Sequence, residues 1–393
     1  MNAPERRFLK KRLLKRRFVV GLSALGLLVA ACGGSATTAP PKPTTDSAAT
    51  TIAGTATSTP VDESTTTTDP PKLSATLNGS GSTFVKTFIE ENVAAFTEGH
   101  GSVTVNYGGG GSGKGRQDLA DQIVDFAGTD GIIKGADLAK FKGGEVLYFP
   151  VVVAPITVSY NLDGVKDLKL TAKTIAEIFQ LRITKWNDPA ITADNAGTTL
   201  PDSPITVVHR SDSSGTTQNF TKFLDSAVGA GGGAIWKLGT DSTVAWPSAT
   251  QAGNGNGGVA QLITSTPGAI GYVDLSDAVD AKLTFAEVGN KAGKFVKADV
   301  SGASAAAAGA KIADNLTFSA IWADGDTAYP ITAQTWLITY AKQTDAAKGE
   351  VMKAFFSYML TDGQKLAAGI NYAPLPPELA AKALAQVDKI MIG

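Results

Sequence analysis

The chain is short of the side chains on which most catalytic and redox chemistry depends. Its 393 residues include one cysteine, Cys32, and two histidines, His100 and His209. A single cysteine excludes an intrachain disulfide, a CxxC redox pair and a thiolate zinc cluster. Two histidines exclude a multi-histidine metal centre, so neither a metal nor a cofactor is expected. Charge is also sparse, at 18% of residues, and nearly balanced, with 35 Lys and Arg against 36 Asp and Glu. The balance conceals an asymmetry. Eight of the bases and one of the acids fall in residues 1–31, leaving 27 bases against 35 acids, a net charge of −8, for the rest. Such a body does not suit nucleic acid, whose phosphates demand many cationic contacts. Apolar residues are plentiful at 43%, enough for two or three domains with cores of their own.

The cationic segment has its own logic. Arg6, Arg7, Lys10, Lys11, Arg12, Lys15, Arg16 and Arg17 precede an uncharged apolar stretch, Phe18 to Ala31, too short to span a bilayer comfortably. It ends Leu28-Val29-Ala30-Ala31-Cys32. Small residues before a lone cysteine resemble the bacterial lipoprotein signal, in which the thiol is acylated and the cysteine becomes the new N-terminus. Residues 1–31 are therefore expected to be a signal peptide and Cys32 a lipidation site carrying fatty acyl chains such as palmitate. The competing reading, a buried free cysteine after an ordinary anchor, does not explain why the only cysteine sits at the cleavage position. Residues 33–72 then hold 13 Thr, 6 Pro and 4 Ser, with Ile52 and Val61 as the only larger aliphatics. Such a segment cannot bury enough apolar area to offset its ordering entropy. A disordered tether over 32–72 is expected, holding a soluble body outside the membrane.

From Leu73 onward, short β-like runs alternate with amphipathic helices, which points to α/β architecture. Ala75–Leu77 reads as a strand. Phe84, Phe88 and Phe96 then keep helical spacing, with Val85, Ile89 and Val93 beside them. Val103–Tyr107 reads as the next strand, Gly108–Gly113 as a loop and Gln117–Val124 as a helix. Tyr148–Tyr160 and Ile331–Tyr340 are mostly apolar and β-branched, two candidates for buried strands that pass between domains. The pattern predicts two α/β lobes, each a central sheet flanked by helices: residues 73–160 with 332–393, and the inserted 161–331. The two chain crossings would form the hinge.

Four strand-to-helix loops carry polar donors. Gly79-Ser80-Gly81-Ser82-Thr83 precedes a helix, where free amides and the positive dipole end attract anions; capping by Ser82 or Thr83 is the plainer alternative. Gly108-Gly109-Gly110-Gly111-Ser112-Gly113-Lys114-Gly115 nearly spells the nucleotide P-loop, but Gly115 stands where a magnesium-binding hydroxyl is needed. It reads instead as a flexible loop or a nest of amides for a smaller anion. Asp130 lies in the loop Asp125–Gly131, where a turn or cap aspartate is the common role. The fourth loop, His209-Arg210-Ser211-Asp212-Ser213-Ser214-Gly215-Thr216-Thr217, gathers the most donors, with Arg210 offering bidentate geometry and Ser214 to Thr216 opening a helix. No GxSxG elbow surrounds Ser112 or Ser214. Nor does anything in the sequence orient His209 as a base for Ser214. Donors without a nucleophile describe a binding site, and no enzyme is expected.

These residues resemble the phosphate-binding proteins of bacterial phosphate ABC transporters, members of the type II periplasmic-binding-protein superfamily. The likeness runs over nearly all of 73–393. It covers the four loops, and Arg210–Thr217 matches the family's Arg-x-Asp-x-Ser-Gly-Thr signature. Blocks outside the loops match too: Lys173–Phe179, Ile183–Pro189 with its Lys-Trp-Asn-Asp-Pro, and Pro267–Val273. The resemblance implies the two-lobed periplasmic-binding-protein fold with a two-strand hinge. It implies phosphate contacts at Thr83, Phe84 (through its amide), Ser112, Asp130, Arg210, Ser214, Gly215 and Thr216, with Asp212 pairing Arg210. One departure is Gly113-Lys114, where the family carries Ser-Gly; it leaves Ser112 as the loop's only hydroxyl and puts a cation near the mouth. The implied function is capture of inorganic phosphate by an exported lipoprotein on the outer face of the cytoplasmic membrane, as a monomer that delivers its ligand to a membrane permease. A sulfate or molybdate binder of the same architecture is the main alternative, and an exported phosphoester hydrolase a more distant one.

Overall fold

Nine strands form one mixed sheet. They are β1 (Thr76–Gly81), β2 (Thr104–Gly108), β3 (Phe126–Thr129), β4 (Val146–Tyr160), β5 (Thr206–Arg210), β6 (Gln251–Gly253), β7 (Ala269–Asp274), β8 (Thr284–Phe285) and β9 (Thr332–Tyr340). The computed structural model describes residues 72–229 and 234–393, so the expectations for the signal segment, Cys32 and most of the tether lie outside the described residues. Among the described residues no helix is long and apolar enough to cross a membrane.

The path across the sheet is β2-β1-β3-β9-β4-β7-β5-β6, with β8 also on β4. The pairing is parallel for β2-β1-β3 and for β7-β5-β6, and antiparallel wherever β4 or β9 takes part. β4 is the axis of the arrangement. Its first part, Val146–Pro155, pairs with β9, and its last part, Ile156–Tyr160, pairs with β7. Both prolines of β4 stand where the ladder is interrupted, since neither can donate a backbone hydrogen bond. Pro150 opposes Trp336 next to the register shift at Thr335/Trp336, and Pro155 is the last residue before β4 changes partner. Of the two long strands expected from sequence, β4 pairs in both halves, whereas β9 pairs with β3 and with the first part of β4. The ladder is continuous through β4, so the two expected sheets are halves of one curled sheet.

Seven helices matter for the site: α1 (Lys86–Gly99), α2 (Ser112–Ala120), α3 (Ala172–Phe179), α4 (Gly215–Val228), α5 (Gly255–Ser265), α6 (Leu275–Asp280) and α7 (Ala346–Leu360). In α1, Phe88, Ile89 and Phe96 lie on the buried face as the spacing predicts, joined by Asn92, while Val93 is half-buried and Phe84 and Val85 precede the helix. In the second half α3 lies on α4, with Phe179 and Phe220 ring centroids 4.7 Å apart. Two of the sequence blocks outside the loops meet here as well. Trp186, wholly buried, donates its indole N–H to the Gly268 carbonyl at 3.1 Å, and Asp188 caps the short helix Pro189–Asp194.

Two local expectations are corrected. The first strand runs on to Gly81, so three of the five residues of the first loop are sheet. The helix expected over Gln117–Val124 instead starts at Ser112 and stops at Ala120, with Gln122 at φ +59° breaking it. Its early start rests on Gly115, where a Cβ would lie 2.6 Å from Gly81 Cα. Only glycine lets this helix approach β1 so closely.

Candidate anion-binding site

Five loops leave the carboxyl ends of parallel strands and converge. β1 has β2 on one side and β3 on the other, and β5 likewise lies between β7 and β6. The crevice outside such a reversal is where open α/β sheets place their ligands. The first half contributes the loops after β1, β2 and β3. The second contributes the loop after β5 and a fifth, Asn254–Gly257, after β6.

Arg210 ends β5 and is 4% exposed. Its Nε donates to Asp212 Oδ1 at 2.7 Å and its Nη2 to Asp212 Oδ2, the bidentate pair expected from sequence. Nη1 donates to Thr216 Oγ1 at 3.2 Å and to Asn256 Oδ1 at 3.0 Å. Burial raises the Asp212 carboxyl, but the hydrogen bonds and charge of Arg210 outweigh it and hold the group below its usual range. The Arg210 amide donates to Tyr272 Oη at 3.3 Å, and burial pushes that phenol up to about 12.

Asp130 follows β3, is 1% exposed, and faces Arg210 from the other half. Ser82 and Ser112 donate to its Oδ2 at 2.6 and 3.1 Å, and Thr335 donates to Oδ1 at 2.8 Å. Burial raises its carboxyl above the ordinary value, against the lowering effect of those three hydroxyls and of Arg210.

The remaining expected residues gather around this pair. Ser112 opens α2 and is wholly buried. Thr83 Oγ1 accepts from the backbone N–H of Asn256 at 3.1 Å, a contact between the halves. The Phe84 amide donates to Ser82 Oγ at 3.0 Å, so Ser82 orders this loop and does not cap α1. Ser214 Oγ caps α4 by accepting from the Thr217 amide at 3.1 Å, which leaves its own proton to donate. The first turn of α4 presents the Gly215 and Thr216 amides, which a helix leaves without internal partners. Gly113 donates to the Ser213 carbonyl at 2.9 Å, and Asn219 to the Asp130 carbonyl at 2.7 Å, so the halves touch on both sides of the site. Lys114 turns away from it: Nζ lies 2.6 and 2.8 Å from the Asp118 carboxylate, with the side chain 55% exposed.

His209 is not placed as a base for Ser214. His209 lies against the Arg210 carbonyl and Thr250 Oγ1, at 2.9 and 3.0 Å, stacked on Trp246, and burial lowers its pKa. Among the described residues no group of three or more His, Cys, Asp or Glu could hold a metal ion.

Three contributors are missing from the set expected from sequence. Ser82 reads there only as a possible cap. Thr335 stands inside the buried strand β9, and no local pattern marks it. Asn256 opens α5 after a strand and a glycine-rich turn, the same strand-loop-helix grammar as the other loops, and that signal is enough to find it.

An acidic pair, Asp274 and Asp277, lies at the start of α6. Asp274 is wholly buried, and its Oδ1 caps α6 by accepting from the Asp277 amide at 3.0 Å. Burial first, then the charge of Asp277, raise its carboxyl well above the usual range. A raised carboxyl pKa in the folded state costs stability as pH rises above the unfolded value of 3.8, because only the unfolded chain then ionises freely. Asn mimics the protonated form. Asp274→Asn should therefore stabilise the protein at pH 8, by about 1.4 kcal/mol for every tenfold by which folding weakens the acid. The gain should vanish towards pH 4, as urea denaturation at the two pH values would show. Equal stability at pH 8 would contradict it.

Fold and site together are those of a solute-binding protein, with donor loops converging between two halves of a sheet. A sequence profile of the PBP superfamily domain matches residues 44–363. The chain is 34% identical over 312 residues to the phosphate-binding protein PstS of Xylella fastidiosa, covering 78% of this chain and 83% of that protein. It is 36% identical over 338 residues to PstS of Methanocaldococcus jannaschii, covering 79% and 85%. Among solved structures, the periplasmic phosphate-binding protein PfluDING bound with phosphate superposes with TM-score 0.67 at 21% identity, over 79% of this chain and 94% of that one. The phosphate-binding protein from Stenotrophomonas maltophilia gives 0.64 at 18%, over 80% and 94%. The chain belongs to the PstS phosphate-binding protein family within the PBP superfamily.

Proposed function

We propose that this chain is an exported binding lipoprotein, anchored through Cys32 to the outer face of the cytoplasmic membrane, that captures inorganic phosphate and delivers it to the permease of an ABC transporter. Residues 73–160 with 332–393 form one lobe and 161–331 the other, and β4 and β9 carry the hinge. Thr83, the Phe84 amide, Ser112, Asp130, Arg210, Ser214, Gly215 and Thr216 hold the anion, and Asp212 holds Arg210. The anion shifts an open–closed equilibrium by the contacts it makes in the closed form alone.

The observation that carries this reading is the buried carboxyl of Asp130 placed among the anion's donors. Desolvating an oxyanion demands many donors in return, and a carboxylate among them repels any ligand without a proton. HPO₄²⁻ and H₂PO₄⁻ can give that carboxylate a hydrogen bond, whereas sulfate at neutral pH cannot. His209, engaged with Arg210 and Thr250, leaves Ser214 without a general base, which speaks against a hydrolase.

Delivery and anchoring are tested together in cells lacking this protein. The wild type should restore phosphate uptake and leave sulfate uptake unchanged, while Cys32→Ala should appear in the medium and restore little. Rescue of sulfate uptake, or full rescue by a membrane-bound Cys32→Ala, would contradict the proposal.

A further inference from the structure

We infer that Asn256 is a positioning residue of the anion site, whose side chain aims the Arg210 guanidinium while its backbone amide meets the Thr83 hydroxyl of the other half. The inference deepens the phosphate reading and rests on it.

Three contacts support it. Asn256 is wholly buried at the start of α5, and its Oδ1 accepts from Arg210 Nη1 at 3.0 Å. A guanidinium can only donate, so the amide oxygen must face it and the side chain has one allowed orientation. Next to it, the Gly255 amide donates to Asp212 Oδ1 at 3.0 Å. One turn thus grips both members of the Arg210–Asp212 pair and fixes the plane of the guanidinium. On its other side, the backbone N–H of Asn256, which no substitution of the side chain removes, donates to Thr83 Oγ1 at 3.1 Å, from the opposite half of the sheet.

The last contact has a chemical consequence. A hydroxyl has one proton and two lone pairs. When Thr83 accepts from Asn256, a lone pair is occupied and the proton is left to point elsewhere, towards the anion. The same residue therefore sets a cation in one half and a hydroxyl in the other, and the second contact exists only while the halves are together. Closure and donor alignment become one event. A cavity of about 420 Å³ beside this contact is lined from both halves, by Thr83, Lys86 and Gly109 on one side and Asn254, Gly257 and Asp277 on the other.

The test compares phosphate affinity and release rate for the full protein, Asn256→Ala and Asn256→Asp, by calorimetry and stopped flow between pH 5 and 8. Asn256→Ala should weaken binding about tenfold at every pH, relative to the wild type, with most of the change in the release rate. Asn256→Asp keeps an acceptor for Arg210 but adds a charge beside the anion. Its deficit should therefore shrink as pH falls and the new carboxyl becomes neutral. Taking the ratio to the wild type at each pH cancels the titration of phosphate itself. A merely structural asparagine would give a deficit that does not follow pH in Asn256→Asp. That result, or both variants binding within threefold of the wild type, overturns the inference. A wild type that ignores phosphate would remove the underlying reading as well, and is told apart by the wild-type arm alone.

Discussion

Arg210→Ala should weaken phosphate binding by a hundredfold or more, the largest effect expected of any single substitution. The side chain is 1% exposed and Asp212 opposite it 8%, so the pair is buried and loss of Arg210 leaves a carboxylate with no countercharge and only the Gly255 amide against it. Breaking such a pair costs about 3–5 kcal/mol, which at about 1.4 kcal/mol per tenfold is two to three and a half decades of affinity. Part of that cost falls on the fold, so the double variant Arg210→Ala/Asp212→Asn separates the two effects. It should recover stability and stay unable to bind. Lysine should rescue little, because one ammonium cannot reach Asp212 bidentately and also serve Thr216 and Asn256. Calorimetry and urea denaturation on the same variants check each part. A loss of less than tenfold would refute the role given to Arg210.

Gly215→Ala should bind phosphate about ten- to a hundredfold more weakly while the ligand-free protein stays as stable as the wild type. A Cβ at this position would lie 2.5 Å from Asp130 Oδ2 and closer still to Ser112 Oγ. Both of those atoms belong to the other half of the sheet. The added methyl must therefore hold the halves apart, and forcing extra carbon into a packed contact costs about 1–3 kcal/mol. Gly215 begins α4 with an ordinary backbone, so alanine brings no strain of its own. Valine should exceed the alanine effect. Small-angle scattering with saturating phosphate should show the wild type compacting and Gly215→Val failing to do so. Alanine binding as tightly as glycine would mean that the halves do not close on the ligand in this way.

Much of this is legible in the sequence for local reasons. β4 and β9 announce themselves as long β-branched runs because a strand buried on both faces has no polar alternation to hide in. The donor loops are visible because glycine and hydroxyl residues gather where a strand gives way to a helix. What stays hidden depends on chain segments far apart. Thr335 reaches Asp130 because β9 pairs with β3, with Trp336 opposite Thr129, some two hundred residues away in sequence. The early start of α2 goes against the helix propensity of Gly113 and Gly115 and is explained by the approach of Gly115 to Gly81. Its loop alone puts Lys114 near the mouth, whereas the helix sets Asp118 one turn onward and draws the ammonium there. Asn256 goes unnoticed in the sequence although its surroundings follow the same local rule as the other four loops.

One claim underlies the whole mechanism: the converging loops form a trap for a protonated oxyanion. A calorimetric titration of the protein with phosphate, in buffer holding a large excess of sulfate, tests it most directly. Such a trap should give tight one-to-one binding that sulfate leaves unchanged. No heat with phosphate, or heat that sulfate abolishes, would contradict it.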